Sequence, residues 1–161
     1  MNKQEAIQQL LNAAIFFEQQ SAGYKSWGKV EVLQIAMRLD NNEIISTNKN
    51  KLLSELSLND INVENENSIF QKIFNKRKMV QVILITLQEF ASQLKNEIPP
   101  ILDDQAQLLG VSVRIAKNEN DILSALSGRF AAVLQDGKSI CLGSSIDDVY
   151  VAAQLLEKTS K

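Results

Sequence analysis

The chain has 161 residues, 45% of them hydrophobic, which is enough apolar material for one packed core and too little length for two ordinary domains. A formal charge of −2 offers no general attraction to a polyanion and weighs against nucleic acid as a partner. Histidine is absent, so the usual general base near neutral pH and the commonest metal ligand are both missing, and Ser-His-Asp, Cys-His and His-zinc chemistries are excluded.

Cys141 is the single cysteine and cannot form an internal disulfide, in keeping with a reducing compartment. The opening Met1-Asn2-Lys3-Gln4-Glu5 lacks the continuous apolar core of a signal peptide, and no apolar run approaches the ~20 residues of a membrane span. The expected setting is soluble and cytoplasmic, with no membrane partner.

Ile7, Leu10, Leu11, Ala14 and Phe17 fall at helical spacing, with Asn2 and Glu5 as a capping pair and Ser21-Ala22-Gly23 as a stop. Residues 30–39 read as a strand, and Asp40-Asn41-Asn42 supplies the turn into a second strand, Glu43-Ile44-Ile45-Ser46-Thr47. The polar loop Asn48-Lys49-Asn50-Lys51 follows, and residues 52–63 read as irregular. Tyr24 and Trp27, beside Gly23 and Gly28, form an aromatic bend that suits core, ligand platform or subunit contact equally.

A second helix is predicted with its cap and negative first turn in Glu64-Asn65-Glu66-Asn67, its apolar face in Ile69, Phe70, Ile73 and Phe74, and cations at its end in Lys76-Arg77-Lys78. Met79-Val80-Gln81-Val82-Ile83-Leu84-Ile85-Thr86-Leu87 is the β-branched run of a strand covered on both faces, and so the expected central strand. A short helix over residues 89–94 ends before Pro99-Pro100, which no helix continues through. Asp103-Asp104 caps a short helix to Leu109, and Val111-Ser112-Val113-Arg114-Ile115 alternates as a strand.

Residues 118–126 read as a helix. Strands at Phe130-Ala131-Ala132-Val133-Leu134 and Ser139-Ile140-Cys141-Leu142 flank Asp136-Gly137, a dipeptide suited to a two-residue hairpin. A last helix starts near Ser145, with Asp147 and Asp148 in its first turn and Lys158 near its end. Hairpins mixed with helices predict an α/β/α sandwich, three layers around a mixed, mostly antiparallel sheet.

This order resembles the class II aldolase and adducin head-domain family along nearly the whole chain. Leu33-Gln34-Ile35-Ala36-Met37-Arg38 is similar to the family's Gly-Asn-x-Ser-x-Arg strand, with Leu-Gln in place of Gly-Asn. Ile45-Ser46-Thr47-Asn48-Lys49-Asn50 stands where the family has its Thr-Pro-Ser-Gly phosphate turn, and Leu56-Ser57-Leu58-Asn59-Asp60-Ile61 resembles Leu-Thr-x-Glu-Asp-Ile. Residues 66–86 resemble the stretch that carries a catalytic Glu, a helix ending Ile-Tyr, and a strand running into His-Thr-His. Here that strand ends Ile85-Thr86-Leu87. Ile98-Pro99-Pro100-Ile101-Leu102 resembles the segment after the family's next helix. Leu134-Gln135-Asp136-Gly137 resembles its Asn-His-Gly hairpin, and Ser145-Ile146-Asp147-Asp148-Val149 its last helix.

The resemblance implies one aldolase/adducin-like domain over residues 1–161. It also implies that Glu66 occupies the catalytic acid/base position, and that Ile85, Leu87 and Asp136 occupy the three metal-histidine positions. Neither Ile85 nor Leu87 has a lone pair for a cation, and Asp136 with Glu66 falls short of the three protein ligands usual for catalytic zinc. The expectation is no zinc and no other cofactor. Taken plainly, Glu66 is a helix-start carboxylate, Asp136 a turn former and Cys141 a buried packing residue. Lys49 and Lys51, in the former phosphate turn, are candidate anion-binding residues.

Two readings of function follow. The first is a degenerate member of the family, a non-enzymatic binding or structural subunit that forms a homo-oligomer, a tetramer by resemblance, or pairs with an active relative. The alternative is a metal-independent or altered-metal lyase or isomerase for a small phosphorylated sugar, with Glu66 as base and Lys49 or Lys51 on the phosphate. A small-molecule sensor using the same cleft is indistinguishable from the first by sequence.

Overall fold

A computed structural model describes residues 2–20, 30–97 and 112–160, main chain only at 18–20 and 54. Helix α1 spans Lys3–Gln20. Its start is a reciprocal capping box, in which the Glu5 N–H donates to Asn2 Oδ1 at 2.8 Å and the Asn2 N–H to Glu5 Oε2 at 3.3 Å. The predicted stop at residues 21–23, the Tyr24–Trp27 bend, Pro99-Pro100 and the helix at residues 103–109 lie outside the described residues.

Strands β1 (Val30–Arg38) and β2 (Ile44–Thr47) form the expected hairpin, with Met37 opposite Ile45 and Asn42 at a φ of 65° in its turn. Asparagine tolerates that left-handed conformation better than most side chains. Residues 52–63 are more ordered than expected. They hold 3-10 turns at Leu53–Glu55 and Leu58–Asp60, then a strand β3 (Ile61–Val63) paired antiparallel to β2. Three residues are too few to print an alternation in sequence, and it is the free edge of β2 that orders them.

Helix α2 (Ile69–Lys76) begins later than the acidic run suggested. Its N-cap is Ser68, whose Oγ accepts the Phe70 N–H at 3.1 Å, so Glu64 and Glu66 precede the helix and are not in its first turn. Strand β4 (Val82–Gln88) follows, then a single 3-10 turn at Ala91–Gln93 in place of the short helix at residues 89–94. Strand β5 (Arg114–Ala116) leads to α3 (Glu119–Ala125), capped by Asn118 Oδ1 on the Asp121 N–H at 3.0 Å.

Strands β6 (Ala131–Leu134) and β7 (Lys138–Gly143) close a hairpin, and α4 (Ile146–Ser160) completes the chain. That hairpin has three loop residues instead of the expected two. The Gly137 N–H returns to the Leu134 carbonyl at 3.0 Å, and only Gly137 takes a positive φ, 89°, as a type I turn with a glycine bulge requires.

The seven strands form one sheet in the order β3-β2-β1-β4-β7-β6-β5, antiparallel throughout except for β5 with β6. The β-branched run thus supplies the fourth of seven strands, the centre that its composition predicts. Alternation along the strands divides the core in two. Val82, Leu84, Val133, Cys141 and Ile35 pack under Leu10 and Phe17 of α1 and Val149 and Leu156 of α4. Ile83, Ala132, Ile140 and Ala36 pack under Phe70, Ile73 and Phe74 of α2 and Ile122 of α3. Each fully buried Leu, Ile or Phe removes enough apolar surface from water to contribute about 1.5–3 kcal/mol. Both faces covered by helices make the expected three-layer α/β/α sandwich.

Two arginines tie the α2–α3 layer down. Arg38 Nη2 donates to the Phe74 carbonyl at 2.7 Å and the Arg77 carbonyl at 2.9 Å, with its guanidinium 5.1 Å from the Phe74 ring centroid. Arg77 Nη1 in turn donates to the carbonyls of Leu126 and Arg129, both at 2.7 Å, over the Phe130 ring. Arg77 therefore ties the turn after α3 to the end of α2, beyond the dipole role read for the Lys76-Arg77-Lys78 cluster.

Candidate functional site

At the end of the sheet where β1 begins and β4 ends, the ladder is irregular. Val32 pairs with Thr86 and Gln34 with Ile85, leaving Leu33 as an extra residue in β1. A bulge of this kind bends its strand and re-aims the neighbouring side chains. The β2 end braces it, because Thr47 Oγ1 accepts the Ile35 N–H and the Thr47 carbonyl accepts from Gln34 Nε2, both at 3.0 Å. Leu33-Gln34 and Thr47 are among the residues that carried the resemblance, so the two motifs meet in space.

Beside the bulge is a cavity of about 570 Å³, within the range of small-molecule sites. Its lining includes Gln34 and Ile85 from neighbouring strands, and Lys49 and Lys51 from the loop after β2. The structure therefore brings the two predicted anion-binding lysines together with Ile85. Lys51 is partly occupied, with its Nζ 3.0 Å from Asp60 Oδ1. That hydrogen bond, followed by those from the Ser57 main-chain N–H and Oγ, holds the Asp60 carboxyl below its ordinary value.

The other predicted residues distribute around this centre. Leu87, 42% exposed, shares a face of β4 with Ile85 and pairs in register with Glu31 of β1 on one side and Lys138 of β7 on the other. Both of those partners line the cavity. Asp136 stands in the β6–β7 loop next to this row, where its Oδ1 accepts the Lys138 N–H at 3.0 Å and its Oδ2 lies 3.4 Å from Lys138 Nζ. Glu66 is exposed in the turn before α2 and does not line the cavity. Ile85, Leu87, Lys49, Lys51 and Asp136 thus gather at one end of the sheet, while Glu66 is apart from the cavity.

Zinc, which the resemblance brings with it, does not fit these residues. Ile85 and Leu87 have no electron pair to donate, and Asp136 is engaged with its own turn and with Lys138. Among the described residues no group of three or more Cys, Asp or Glu side chains is placed to hold a metal ion. Cys141 is fully buried on the far face of the sheet, and burial pushes its thiol up to about 12, the behaviour of a packing residue and not of a nucleophile.

Sequence reasoning missed Glu31, Glu55 and Lys138 as cavity residues. Each was a lone charge at a strand start or in a loop, with no motif around it, and only strand pairing places Glu31 and Lys138 on either side of Leu87.

The fold is that of the class II aldolases. Among solved structures the chain is similar to an L-fuculose 1-phosphate aldolase, with a TM-score of 0.79 at 14% identity over 99% of this chain and 85% of that one. It is likewise similar to YgbL from Escherichia coli, a putative aldolase/epimerase/decarboxylase (TM-score 0.76, 12% identity, 98% of this chain and 87% of that one), and to a sugar-phosphate aldolase from Thermotoga maritima (TM-score 0.71, 12% identity, 98% and 92%). No family model and no curated protein matches the chain. No helix among the described residues is long and apolar enough to cross a membrane.

Proposed function

We propose that this chain, as a single domain over residues 1–161, keeps the class II aldolase frame without zinc-dependent lyase chemistry and acts as a binding or structural subunit. What supports this reading is the pair Ile85 and Leu87 on the central strand, which by the sequence resemblance take the positions of the family's paired histidines. Ile85 packs against the α2–α3 side of the core and Leu87 is exposed on the same face, and neither hydrocarbon side chain can hold the electrophilic cation that a lyase of this family needs for the developing enediolate. The cavity beside them remains large enough for a small molecule, which favours binding over a purely architectural role.

The alternative, a metal-independent lyase or isomerase using Glu66 as base, is weakened by position. An exposed carboxylate that does not line the cavity is out of reach of a proton on a molecule bound there. Self-association, as a homo-oligomer or with an active relative, follows from the resemblance and belongs to the same proposal, as does a cytoplasmic setting.

The test is metal analysis of protein purified without chelator, together with retro-aldol assays on L-fuculose 1-phosphate with and without EDTA. The expected result is less than one zinc per ten chains and no EDTA-sensitive turnover. Stoichiometric zinc with turnover that EDTA abolishes would overturn the reading. Light scattering checks assembly, and a strictly monomeric species at high concentration with no co-purifying chain would remove the oligomer.

A further inference from the structure

Two of the three cavity lysines already have acidic partners, Lys51 in Asp60 and Lys138 in Asp136. Lys51 is committed to a nearly buried carboxylate, whereas Lys138 meets Asp136 at the surface and stays open to a second partner, so Lys49 and Lys138 stand against Glu31 and Glu55. Such a balance suits a phosphate monoester poorly, because that group brings a charge of about −1.5 to −2 near neutral pH and needs an excess of cations. It suits a ligand that carries one charge of each sign.

The spacing adds a second constraint. Glu31, Leu87 and Lys138 stand side by side on three adjacent strands, so the acidic and basic residues are two strand steps apart, about 10 Å at the main chain, with hydrocarbon between them. Ile85, one row further in on the same face of β4, lines the cavity itself.

We infer that the cavity binds a small zwitterion, an amino carboxylate whose ammonium group pairs with Glu31 and whose carboxylate pairs with Lys49 and Lys138, with an apolar spacer lying over Leu87 and Ile85. The site rests on the reading above of a binding subunit that works without zinc. Glu55 faces the same cavity from the loop wall and reinforces the cationic end. Lys138 is shared between the ligand and Asp136, and Lys49 supplies the uncommitted positive charge. Charged hydrogen bonds at both ends give a matched ligand an advantage that neither end provides alone.

The experiment is calorimetric titration of the full chain with 6-aminohexanoate, with hexanoate, hexylamine and inorganic phosphate as controls. Expected are at least ten-fold tighter binding of 6-aminohexanoate than of any control, and a loss of at least five-fold in Glu31→Gln and in Lys49→Gln. Circular dichroism verifies the fold of each variant, and Glu55→Gln, at an exposed loop position, serves as the second acidic variant if Glu31→Gln misfolds. Equal affinity for 6-aminohexanoate and its single-charge controls, a preference for phosphate, absence of binding by all four probes, or variants with unchanged affinity would each overturn the inference. Failure with zinc-free protein refutes the ligand class alone, whereas zwitterion binding that requires added zinc refutes the metal-free reading and leaves the ligand class standing.

Discussion

Lys51 Nζ and Asp60 Oδ1 stand 3.0 Å apart, joining the loop after β2 to the 3-10 turn before β3. Asp60 also accepts the Ser57 main-chain N–H at 2.8 Å, so one nearly buried carboxylate fixes both the edge of the sheet and one wall of the cavity. Its partner is thereby drawn away from any ligand.

Because the Asp60 carboxyl is held below its ordinary value in the folded chain, its contribution to stability is present above the unfolded value and is lost as pH falls through the folded one. Asp60→Asn is expected to lower the urea midpoint at pH 7 and to flatten its decline below about pH 4, the ordinary aspartate range. Urea midpoints measured across pH 2–7 for both proteins check this, and parallel curves would contradict it.

Glu157 presents the opposite sign. Its side chain is inaccessible to solvent on α4, and its two oxygens accept the main-chain N–H groups of Phe90 and Ala91. Burial raises its carboxyl above the ordinary value against those hydrogen bonds, so its contribution is full below the unfolded value and declines as pH rises through the folded one. Glu157→Gln is expected to remove that decline on the alkaline side of about pH 4.5. Glu157→Ala removes the carboxylate that accepts the Phe90 and Ala91 main-chain N–H groups and is expected to cost about 2 kcal/mol by denaturant titration.

Gly143 is required by close approach. A Cβ added there would stand 2.7 Å from the Val149 nitrogen and 2.8 Å from the Val149 Cβ, where α4 crosses the end of β7. Gly143→Ala is therefore expected to lower stability by about 2 kcal/mol through overpacking, read as a fall in thermal midpoint with unchanged secondary structure.

Cys141, with no accessible surface and its thiol pushed up to about 12, is expected to resist a thiol reagent in the native protein at pH 8. Reaction should proceed only at the rate of global unfolding. A rapid stoichiometric colour change on mixing would show that the strand opens locally.

Most of the elements were legible because their signals are local. The Asn2–Glu5 box, the Asp40-Asn41-Asn42 turn, the helix read at residues 118–126 and the β-branched run each draw on a few neighbouring residues, and each forms near where the pattern placed it, although β4 starts at Val82 and not at Met79. The misplaced boundaries share another cause. Strand β3 is ordered by the edge of β2, and α2 starts at Ile69 because its cap, Ser68, competes successfully with an acidic run only two residues upstream. The three-residue loop at Gly137 depends on the register in which Val133 meets Ser139, which an Asp-Gly dipeptide does not encode.

The site was half legible. Lys49, Lys51 and Ile85 were marked by the resemblance and do line one cavity, whereas Glu31, Glu55 and Lys138 carried no local signature. By itself the amino-acid order determined the three layers, through alternation that buries both faces of the central strand, and determined that no imidazole is available to any chemistry. Tertiary structure alone decided that Glu31 and Lys138 flank Leu87 and that Lys51 is already paired with Asp60. The physical reason is that burial preference belongs to each residue and its near neighbours, while register and ion pairing belong to segments tens of residues apart and exist only once the sheet has closed.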